Sequence, residues 1–553
     1  MLKLLRGLTG SPVKPPKQLQ SEIEAPNEVS SSSTGAVVAE PEIPNLSELL
    51  RTNQQREEIN LTYPVKPPYQ FAHIIYDAAT GGLVYRAIEA TLCDGEGEKL
   101  RQIKRFFKVD RDIDRMTPSK YIEQKVREIV ALHGLEVDEF QLEKMIYYVR
   151  RDFLGFGHVD LLMNDPYIED ISCNGPELPI FIYHRVFESL PTTARFESAH
   201  ELNRFVLRLA QISGNHISVL DPITDATLPD GSRLNLTYGT EVTKRGSSFT
   251  IRKFTEEPLS PLDILNYGSV SAPLLAYLWT LIEYGKSILI SGGTATGKTT
   301  LLNAISVFIK PEDKIVSVED TAEINIPHDN WIQSVTRSGF GGARLSGISG
   351  LSGISGISGV SAGARRVGDI GLYDLLVAAL RQRPDYIIVG EVRGSEAFTM
   401  FQAISVGHAV MGTIHSGSMQ ELINRIESPP MNVPRRLLEG VDVVIFVGRI
   451  LRRGQEHIRR VVRAVEILGF ETGNLLTNEV FRWNAFKDTF EYTGRCYVLD
   501  KISREFGIEL EELSAEREAK VRLIEDLQRR KVNHFAEVAQ HVRAHQASRS
   551  TRK

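Results

Sequence analysis

Apolar and polar positions follow two different periods along this chain, and together they predict a mixed α/β architecture. Short runs of apolar residues, many of them β-branched, occur at 287–290, 314–318, 386–389 and 441–447 and are typical of buried strands. Helical spacing of apolar residues follows the first run at 301–305. These segments are expected to form the strands and helices of an open α/β sheet.

The first half of the chain predicts a separate set of elements. Short strands with turns cover about 69–92, and helical patterns cover 96–108 and 117–155. In the second helical stretch an apolar stripe is predicted from Tyr121, Val126, Ile129, Val130 and Leu132. From 157 to 254, strands such as 180–183 alternate with a helix over 199–212. This half therefore predicts a small helical bundle followed by an α/β domain.

The boundaries follow from changes in composition. Residues 11–60 are rich in Pro, Ser and Glu, which is typical of disorder, and the polar segment 255–261 carries two prolines. The predicted organisation is a disordered leader at 1–60, a strand region with a helical bundle at 61–155, an α/β N-terminal domain at 156–256, a hinge at 257–263, and a second α/β domain at 264–553.

The last predicted domain ends in a hairpin and a helical segment. A β-hairpin is expected around 480–492, and 505–545 is helical and strongly charged. The apolar positions of the helical segment are scattered: Leu510, Leu513, Val521, Ile524 and Leu527. The pattern favours a solvated helical cap, with a docking surface as the alternative.

A low-complexity loop interrupts the same domain at 341–366. Residues 346–360 are five tandem Ser-Gly-aliphatic tripeptides, and arginines follow at 365 and 366. Glycine at every third position disfavours a stable helix, and a period of three matches no amphipathic face. We expect a mobile loop, either a neutral expansion or a surface that faces a partner or a pore.

The most specific chemical signal is a phosphate-binding loop. The apolar run 287–290 leads into a Gly-x-x-x-x-Gly-Lys-Thr segment, and a helical pattern follows. Such a loop closes its backbone N–H groups around phosphates, Lys298 reaches the β- and γ-oxygens, and the Thr299 hydroxyl binds magnesium. The nucleotide-binding residues predicted here are Gly292, Gly293, Thr294, Ala295, Thr296, Gly297, Lys298, Thr299 and Thr300.

Carboxylates follow two other predicted strands. Glu391 comes after the strand at 386–389, and Glu319, Asp320 and Glu323 follow the strand at 314–318. Open α/β sheets bind ligands at the carboxyl ends of their strands, where such groups orient water or the metal shell. Two histidines, His408 and His415, flank the next apolar strand, which favours a sensor or phosphate-contact role.

Composition limits the other possibilities. The 553 residues include 65 basic and 70 acidic ones, for a net charge of −5, so no overall field indicates nucleic acid. The three cysteines, Cys93, Cys173 and Cys496, are far apart and form no zinc ribbon or disulfide framework. No run of 18 apolar residues occurs, so we expect a cytoplasmic protein.

With these motifs in order, the chain resembles the secretion ATPases of the type II and type IV pilus machinery, which also drive archaella. The resemblance covers about 61–500 and rests on four boxes: Gly292 to Thr300 as Walker A, Glu319 to Glu323 as the aspartate box, Gly390-Glu391 as an atypical Walker B, and His408 to His415 as the histidine box. The absence of a four-cysteine zinc module favours the archaeal branch. A RecA-like motor domain after a smaller α/β domain and a helical bundle is implied.

The resemblance also implies roles for individual residues. Glu323 corresponds to the general base, Glu391 to the magnesium-side carboxylate, and His408 and His415 to interdomain contacts. Arg233 and Arg252 are candidates for arginines that reach over the nucleotide when the N-terminal domain closes. The alternative is that both arginines only solvate an edge strand. Arg381 and Arg383 are further candidates that spacing alone does not rank.

The function implied is that of a homohexameric motor that uses ATP and Mg²⁺. It would work with a polytopic membrane platform protein and accessory cytoplasmic motor proteins, peripheral to the inner face of the cell membrane, to assemble or rotate a pilin-like filament or to drive secretion. No nucleic-acid partner is expected. A RecA-like nucleic-acid motor such as a helicase remains the alternative, although no basic stripe or aromatic-interleaved groove supports it.

Overall fold

The computed structural model describes residues 56–93, 95–108, 117–254, 258–337, 369–451, 457–471 and 474–550. Most of the predicted leader and the whole low-complexity loop at 341–366 lie outside these ranges. The chain divides into an N-terminal unit, residues 1–254, and a C-terminal unit, residues 255–553. Both units are mixed α/β, as the sequence predicts, and each is built around a large sheet.

The described part of the N-terminal unit contains nine strands and five α-helices. The strands are β1 (Asn60–Lys66), β2 (Gln70–Asp77), β3 (Gly82–Glu89), β4 (Ile168–Cys173), β5 (Pro179–His184), β6 (Glu188–Arg195), β7 (Ile223–Thr227), β8 (Arg233–Thr237) and β9 (Ser248–Arg252). The helices are α1 (Glu96–Phe106), α2 (Pro118–Leu132), α3 (Glu139–Phe153), α4 (Asp160–Asn164) and α5 (Ala199–Ile212). The strand order in the sheet is β1-β2-β3-β6-β5-β4-β9-β8-β7.

Helix α5 shows how the sequence places an element on this sheet. Ser198 caps its first turn by accepting a hydrogen bond from the Glu201 backbone N–H at 3.2 Å. Leu202, Val206 and Leu209 repeat at helical spacing and are fully buried. Their burial within the apolar core of the unit holds the helix against the sheet.

The helical stretch predicted at 117–155 is divided into two helices. Helix α2 ends before Gly134, which has a positive φ of 60°, and Asp138 begins α3 with a capping box closed by Gln141. The predicted stripe is partly wrong, because Leu132 is 81% exposed whereas Ile122 is buried. Leu132 is the last residue of α2, where the chain turns away from the bundle core.

A buried polar cluster connects the first strands to the rest of this unit. The hydroxyls of Tyr63 and Tyr85 both donate to the Asp165 carboxylate, at 2.7 and 2.6 Å. The His184 Nδ1 accepts from the backbone N–H of Val186 at 3.2 Å, so its proton is on Nε2, 3.2 Å from the Tyr63 hydroxyl. His184 is therefore held as a neutral ring, and burial lowers its pKa to about 3, with a smaller contribution from Arg185.

This cluster predicts a loss of stability in acid. The pKa of His184 is about 6.5 when unfolded and about 3 when folded, so the unfolded chain binds the proton more tightly. The contribution of the neutral His184 to the free energy of unfolding is fully present above pH 6.5. About 1.4 kcal/mol of it is lost per pH unit as the pH falls toward 3. We expect the free energy of urea unfolding, monitored by hydrogen exchange of β5 peptides, to depend less on pH in His184→Gln than in the wild type.

The comparison of the wild type with His184→Gln isolates the contribution of the histidine to the pH dependence of stability. Burial raises the pKa of Asp165, which acts on stability in the opposite direction, so the wild-type slope alone is a mixture. Equal pH slopes for both proteins between pH 6.5 and 4 would contradict the assignment of a neutral His184.

The described part of the C-terminal unit contains nine strands and nine α-helices. The strands are β10 (Ile288–Gly292), β11 (Ile315–Glu319), β12 (Trp331–Val335), β13 (Tyr386–Val392), β14 (Ala409–Ile414), β15 (Val443–Leu451), β16 (His457–Glu471), β17 (Asn474–Asn484) and β18 (Thr489–Tyr492). The helices are α6 (Pro261–Asn266), α7 (Ala272–Glu283), α8 (Lys298–Ser306), α9 (Leu372–Leu380), α10 (Glu396–Ser405), α11 (Met419–Glu427), α12 (Tyr497–Phe506), α13 (Leu510–Arg529) and α14 (Phe535–Ser550).

The sheet of this unit is parallel on one side and antiparallel on the other. The strand order is β12-β11-β13-β14-β10-β15-β16-β17-β18. The first six strands of this order are parallel to one another. Strands β10, β11 and β14 are buried along their whole length, as expected for parallel strands with helices on both faces. The hairpin predicted near 480–492 is confirmed as β17 and β18.

The C-terminal helices are not a solvated cap. Leu513, Ile524 and Leu527 of α13 are buried in the main apolar core. Lys520 is completely buried, and its ammonium group lies 2.7 Å from Glu516 and 2.5 Å from Glu283 of α7. The charge of α13 misleads the sequence-based prediction because part of it is paired inside the fold.

Candidate functional site at the carboxyl ends of the parallel strands

Four sequence motifs meet at one edge of the C-terminal sheet. The strands β10, β11, β13 and β14 are parallel neighbours, so their carboxyl ends lie at the same edge. The glycine-rich loop follows β10, Glu319 ends β11, Glu391 lies near the end of β13, and His415 follows β14. This is the edge at which open α/β sheets bind their ligands.

The glycine-rich loop has the geometry of a phosphate cradle. A Cβ atom at Gly292 would lie 2.4 Å from the Val447 carbonyl oxygen, so only glycine fits there. Gly297 has a φ of 90° and caps α8, whose N-terminus then points its free backbone N–H groups at the loop. Thr296 Oγ1 donates to the Gly293 carbonyl at 3.0 Å and closes the loop.

Lys298 lies at the centre of the site. Its side chain is buried, and Nζ donates to the Gly293 carbonyl oxygen at 2.8 Å. Burial lowers the pKa of Lys298, while the charges of Glu391 and Glu323 oppose that shift. Both candidate carboxylates therefore act on the same ammonium group.

Glu391 is directed into the site by an irregularity in its strand. The pairing of β13 with β14 shifts register between Val389 and Val392, which re-aims the residues between them. Arg393 donates to the Glu391 carboxylate at 2.6 Å. Burial raises the pKa of Glu391, but the hydrogen bond and charge of Arg393, together with the charges of Lys298 and His415, offset it, so the net pKa is lowered.

The aspartate box is organised around Glu319. Its carboxylate is buried and accepts from the backbone N–H groups of Glu323 at 2.7 Å and Ile324 at 2.8 Å. Glu319 is thus a loop-holding group, and burial raises its pKa. A Cβ at Gly390 would lie 3.2 Å from Glu319 Cγ, which explains why a glycine precedes Glu391.

Glu323 and Asp320 lie on the open side of this box. Glu323 is exposed, and its carboxylate acts electrostatically on Lys298. Asp320 Oδ2 lies 4.0 Å from the Arg393 guanidinium group. Arg393 therefore faces two acidic groups, Glu391 near the end of β13 and Asp320 just after β11.

The two histidines are separated by the structure. His415 Nε2 lies 3.1 Å from the Thr294 hydroxyl, and burial together with Lys298 lowers its pKa. His408 precedes the six-residue strand β14, whose length places it roughly 20 Å away at the opposite edge of the sheet. Only His415 joins the phosphate loop.

The four candidate arginines lie in two different parts of the fold. Arg381 and Arg383 are exposed at the amino end of β13, whereas Glu391 is near its carboxyl end. Arg233 and Arg252 belong to the N-terminal unit and are directly opposed in the register of β8 and β9. Arg252 Nε lies 3.2 Å from the Asp170 carboxylate.

Several residues near the loop were missed by the sequence reasoning. Arg393 lay two residues after Glu391, and that spacing was its available signal. Arg459 of β16 donates to the Ala295 carbonyl at 3.2 Å, and Arg425 of α11 acts electrostatically on Lys298 and His415. Asn303 of α8 contacts the Glu323 loop. The last three come from distant elements or a helix interior, where no local motif marks them.

The donor set of the site fits Mg²⁺ and a triphosphate. The Thr299 hydroxyl and the Glu391 carboxylate offer oxygen atoms of the hard type that Mg²⁺ prefers, and Lys298 with the α8 N-terminus offers positive charge suited to phosphate oxygens. Among the described residues, no cluster of three or more His, Cys, Asp or Glu side chains forms a metal cage. Mg²⁺ at nucleotide sites is held by few protein ligands together with phosphates and water.

The described residues also contain no helix with the length and apolar character that crossing a membrane requires.

Comparisons with known proteins agree with these motifs. Residues 157–548 match the family model described as type II/IV secretion system protein. An uncharacterized protein of Methanocaldococcus jannaschii is 36% identical over 87% of this chain and 87% of its own length. The type IV secretion system protein PtlH of Bordetella pertussis is 31% identical over 44% of this chain and 74% of its own length.

Two matches to solved structures have TM-scores below 0.5. The Legionella pneumophila ATPase DotB covers 66% of this chain and 86% of its own length, with 17% identity and a TM-score of 0.39. The pilus retraction motor PilT with bound ADP covers 53% of this chain and 77% of its own length, with 19% identity and a TM-score of 0.36.

Proposed function

Because the chain belongs to the type II/IV secretion system protein family, we propose that it is an ATP-hydrolysing motor of a secretion or filament-assembly machine. The observation that carries the proposal is the convergence of Lys298 with two carboxylates, Glu323 and Glu391, at the carboxyl edge of a parallel sheet. The family match favours this function over the RecA-like nucleic-acid motor.

The chemistry assigned to the site is phosphoryl transfer to water. Lys298 and the N-terminus of α8 bind the β- and γ-phosphates, and Thr299 and Glu391 would hold Mg²⁺, which neutralises phosphate charge. Glu323 accepts a proton from the attacking water while the water oxygen forms a bond to the γ-phosphorus. The bond to the β,γ-bridging oxygen breaks, and ADP and inorganic phosphate are the products.

The working assembly in this proposal is a homohexamer at the inner face of the cell membrane, in the cytoplasm. The partners are a polytopic membrane platform protein and accessory cytoplasmic motor proteins, and the output is assembly or rotation of a pilin-like filament, in an archaellum or a type IV pilus, or type II-like secretion. Family membership supports a role in such a machine.

The activity is tested by phosphate release from the full chain. We expect Mg²⁺-dependent ATP hydrolysis that chelation abolishes and that neither single-stranded nor duplex DNA stimulates. Mass determination in solution with and without nucleotide tests the hexamer. Hydrolysis that depends on DNA, together with strand separation, would instead support the nucleic-acid motor.

Arg233 and Arg252 are proposed to neutralise charge on the transferring phosphoryl group. Their side chains share one face of the sheet because directly opposed residues do so, and two like charges in that position repel each other. An anion between them would relieve that repulsion. Asp170 on β4 continues the same row and pairs with Arg252 of β9. Strand β9 separates Asp170 from Arg233 on β8.

Alanine at either position is therefore expected to lower kcat strongly while ADP affinity changes little, because the opposing charge is greatest in the transition state. Lysine should rescue poorly, since only guanidinium bridges two phosphate oxygens. Arg195→Ala is the matched control, as Arg195 is an exposed strand arginine paired with Glu197. Wild-type kcat in both alanine variants, with stability changes within about 0.5 kcal/mol, would identify the arginines as solvated surface residues.

A further inference from the structure

The loop that carries Glu323 is held by side chains instead of by regular secondary structure. Residues 322–328 form neither helix nor strand. Glu319 of β11 accepts the Glu323 and Ile324 backbone N–H groups, and Gln333 of β12 donates to the Ile324 carbonyl at 3.0 Å. The position of Glu323 therefore depends on a few specific hydrogen bonds.

Asn303 supplies two more of these bonds from a different element. Its Nδ2 donates to the Glu323 carbonyl oxygen at 2.8 Å, and its Oδ1 accepts from the Asn325 backbone N–H at 3.0 Å. The orientation of the side-chain amide is unambiguous, because a carbonyl only accepts and an N–H only donates. Asn303 is 6% exposed, so water competes little for either bond.

Asn303 connects the helix that begins at the glycine-rich loop to the loop that carries Glu323. Helix α8 begins at the phosphate loop, and Asn303 comes four residues after Thr299, on the same helix face. Glu319 and Gln333 both lie on strands, so Asn303 provides a direct connection from the phosphate-binding helix to the Glu323 loop. The backbone of Glu323 is held at its N–H by β11 and at its C=O by α8.

We propose that Asn303 is a positioning residue that sets the distance between the Glu323 carboxylate and the phosphates bound at α8. The inference rests on the proposed function, because it assigns Asn303 an effect on ATP hydrolysis through Glu323. Asn303 itself contacts neither water nor phosphate in this role. Displacement of a reacting group by about 1 Å costs about 10²-fold in rate, so losing this clamp should slow chemistry without weakening binding.

Two substitutions remove the clamp in different ways. Asn303→Asp keeps the size and the acceptor for Asn325 but places a carboxylate oxygen against the Glu323 carbonyl. Asn303→Ala removes both bonds without adding charge. Ser306→Ala is the matched control, since Ser306 is buried in the same helix and its hydroxyl donates to the Leu302 carbonyl of that helix at 2.7 Å.

The readouts are kcat for ATP hydrolysis and the affinity for a fluorescent ADP analogue, measured on the full chain. We expect both Asn303 variants to lose about 10- to 100-fold in kcat, with ADP affinity within about threefold of wild type. Retained nucleotide binding also shows that each variant is folded. Ser306→Ala should match the wild type in both measurements.

A double-mutant cycle with Glu323→Ala decides whether Asn303 acts through Glu323. If it does, Asn303→Ala should lower kcat little further once Glu323 is absent. Full multiplication of the two effects, near-wild-type kcat in both Asn303 variants, or loss of ADP binding in both would overturn the proposal. A wild-type chain without ATPase activity would instead refute the proposed function itself.

Discussion

Replacing Lys298 with alanine is expected to lower ATP turnover by about 10²–10³-fold or more and to weaken ATP binding. The reason goes beyond the loss of one contact. Glu391 and Glu323 both act on the Lys298 ammonium group, so its removal takes away one of the positive charges that balance these carboxylates and leaves Arg393 as the other. Negative charge that is less well balanced raises the energy of both the nucleotide-bound state and the transition state.

Steady-state phosphate release and nucleotide binding by calorimetry measure this effect. Lys310→Ala is the matched control, because Lys310 follows the opposite end of the same helical segment. Hydrolysis near the wild-type rate in Lys298→Ala would contradict the assignment of the catalytic site to the end of β10.

Replacing Glu323 with glutamine is expected to slow hydrolysis by about 10²-fold or more while ATP remains bound. Glutamine has the same shape but does not accept the proton of the attacking water. The loop should not move, because its contacts with Glu319 and Asn303 are made by the Glu323 backbone and survive the substitution. The variant therefore separates chemistry from structure.

Glu391→Gln is the informative comparison for this variant. It replaces the ion pair with Arg393 by a neutral hydrogen bond and removes the charge of a proposed magnesium ligand, so we expect a higher Mg²⁺ requirement. Single-turnover hydrolysis and ATP affinity over a range of Mg²⁺ concentrations distinguish the two residues. A collapse of nucleotide affinity in Glu323→Gln would make Glu323 structural and Glu391 the better base candidate.

Local patterns were sufficient to predict the parallel part of the C-terminal fold. The apolar runs that precede the glycine-rich loop and the carboxylate segments are all buried parallel strands in the structure. The burial of such a strand on both faces requires an apolar sequence whatever the neighbouring strands are. The assignments of Lys298, Glu323 and Glu391 to their roles remain predictions that the experiments above test.

Where the prediction failed, the controlling contacts join distant segments. The charge of α13 indicates a solvated helix, yet Lys520 is buried because Glu283 lies 237 residues earlier in the chain and faces it. Leu132 belongs to an apolar pattern but is exposed, since α2 ends at that residue. Periodicity describes one helix face and does not report where the chain turns.

The sequence by itself was enough to predict the phosphate loop, because its glycines, Lys298 and Thr299 lie within one segment, 292–299, and their geometry is local. Only the tertiary structure decided which other residues join it. Strand order brings the ends of β11, β13 and β14 to that loop and leaves His408 and Arg381 at the opposite edge. Asn303 is connected to Glu323 for the same physical reason: hydrogen bonds between elements depend on how the chain packs, and no spacing along the sequence encodes that packing.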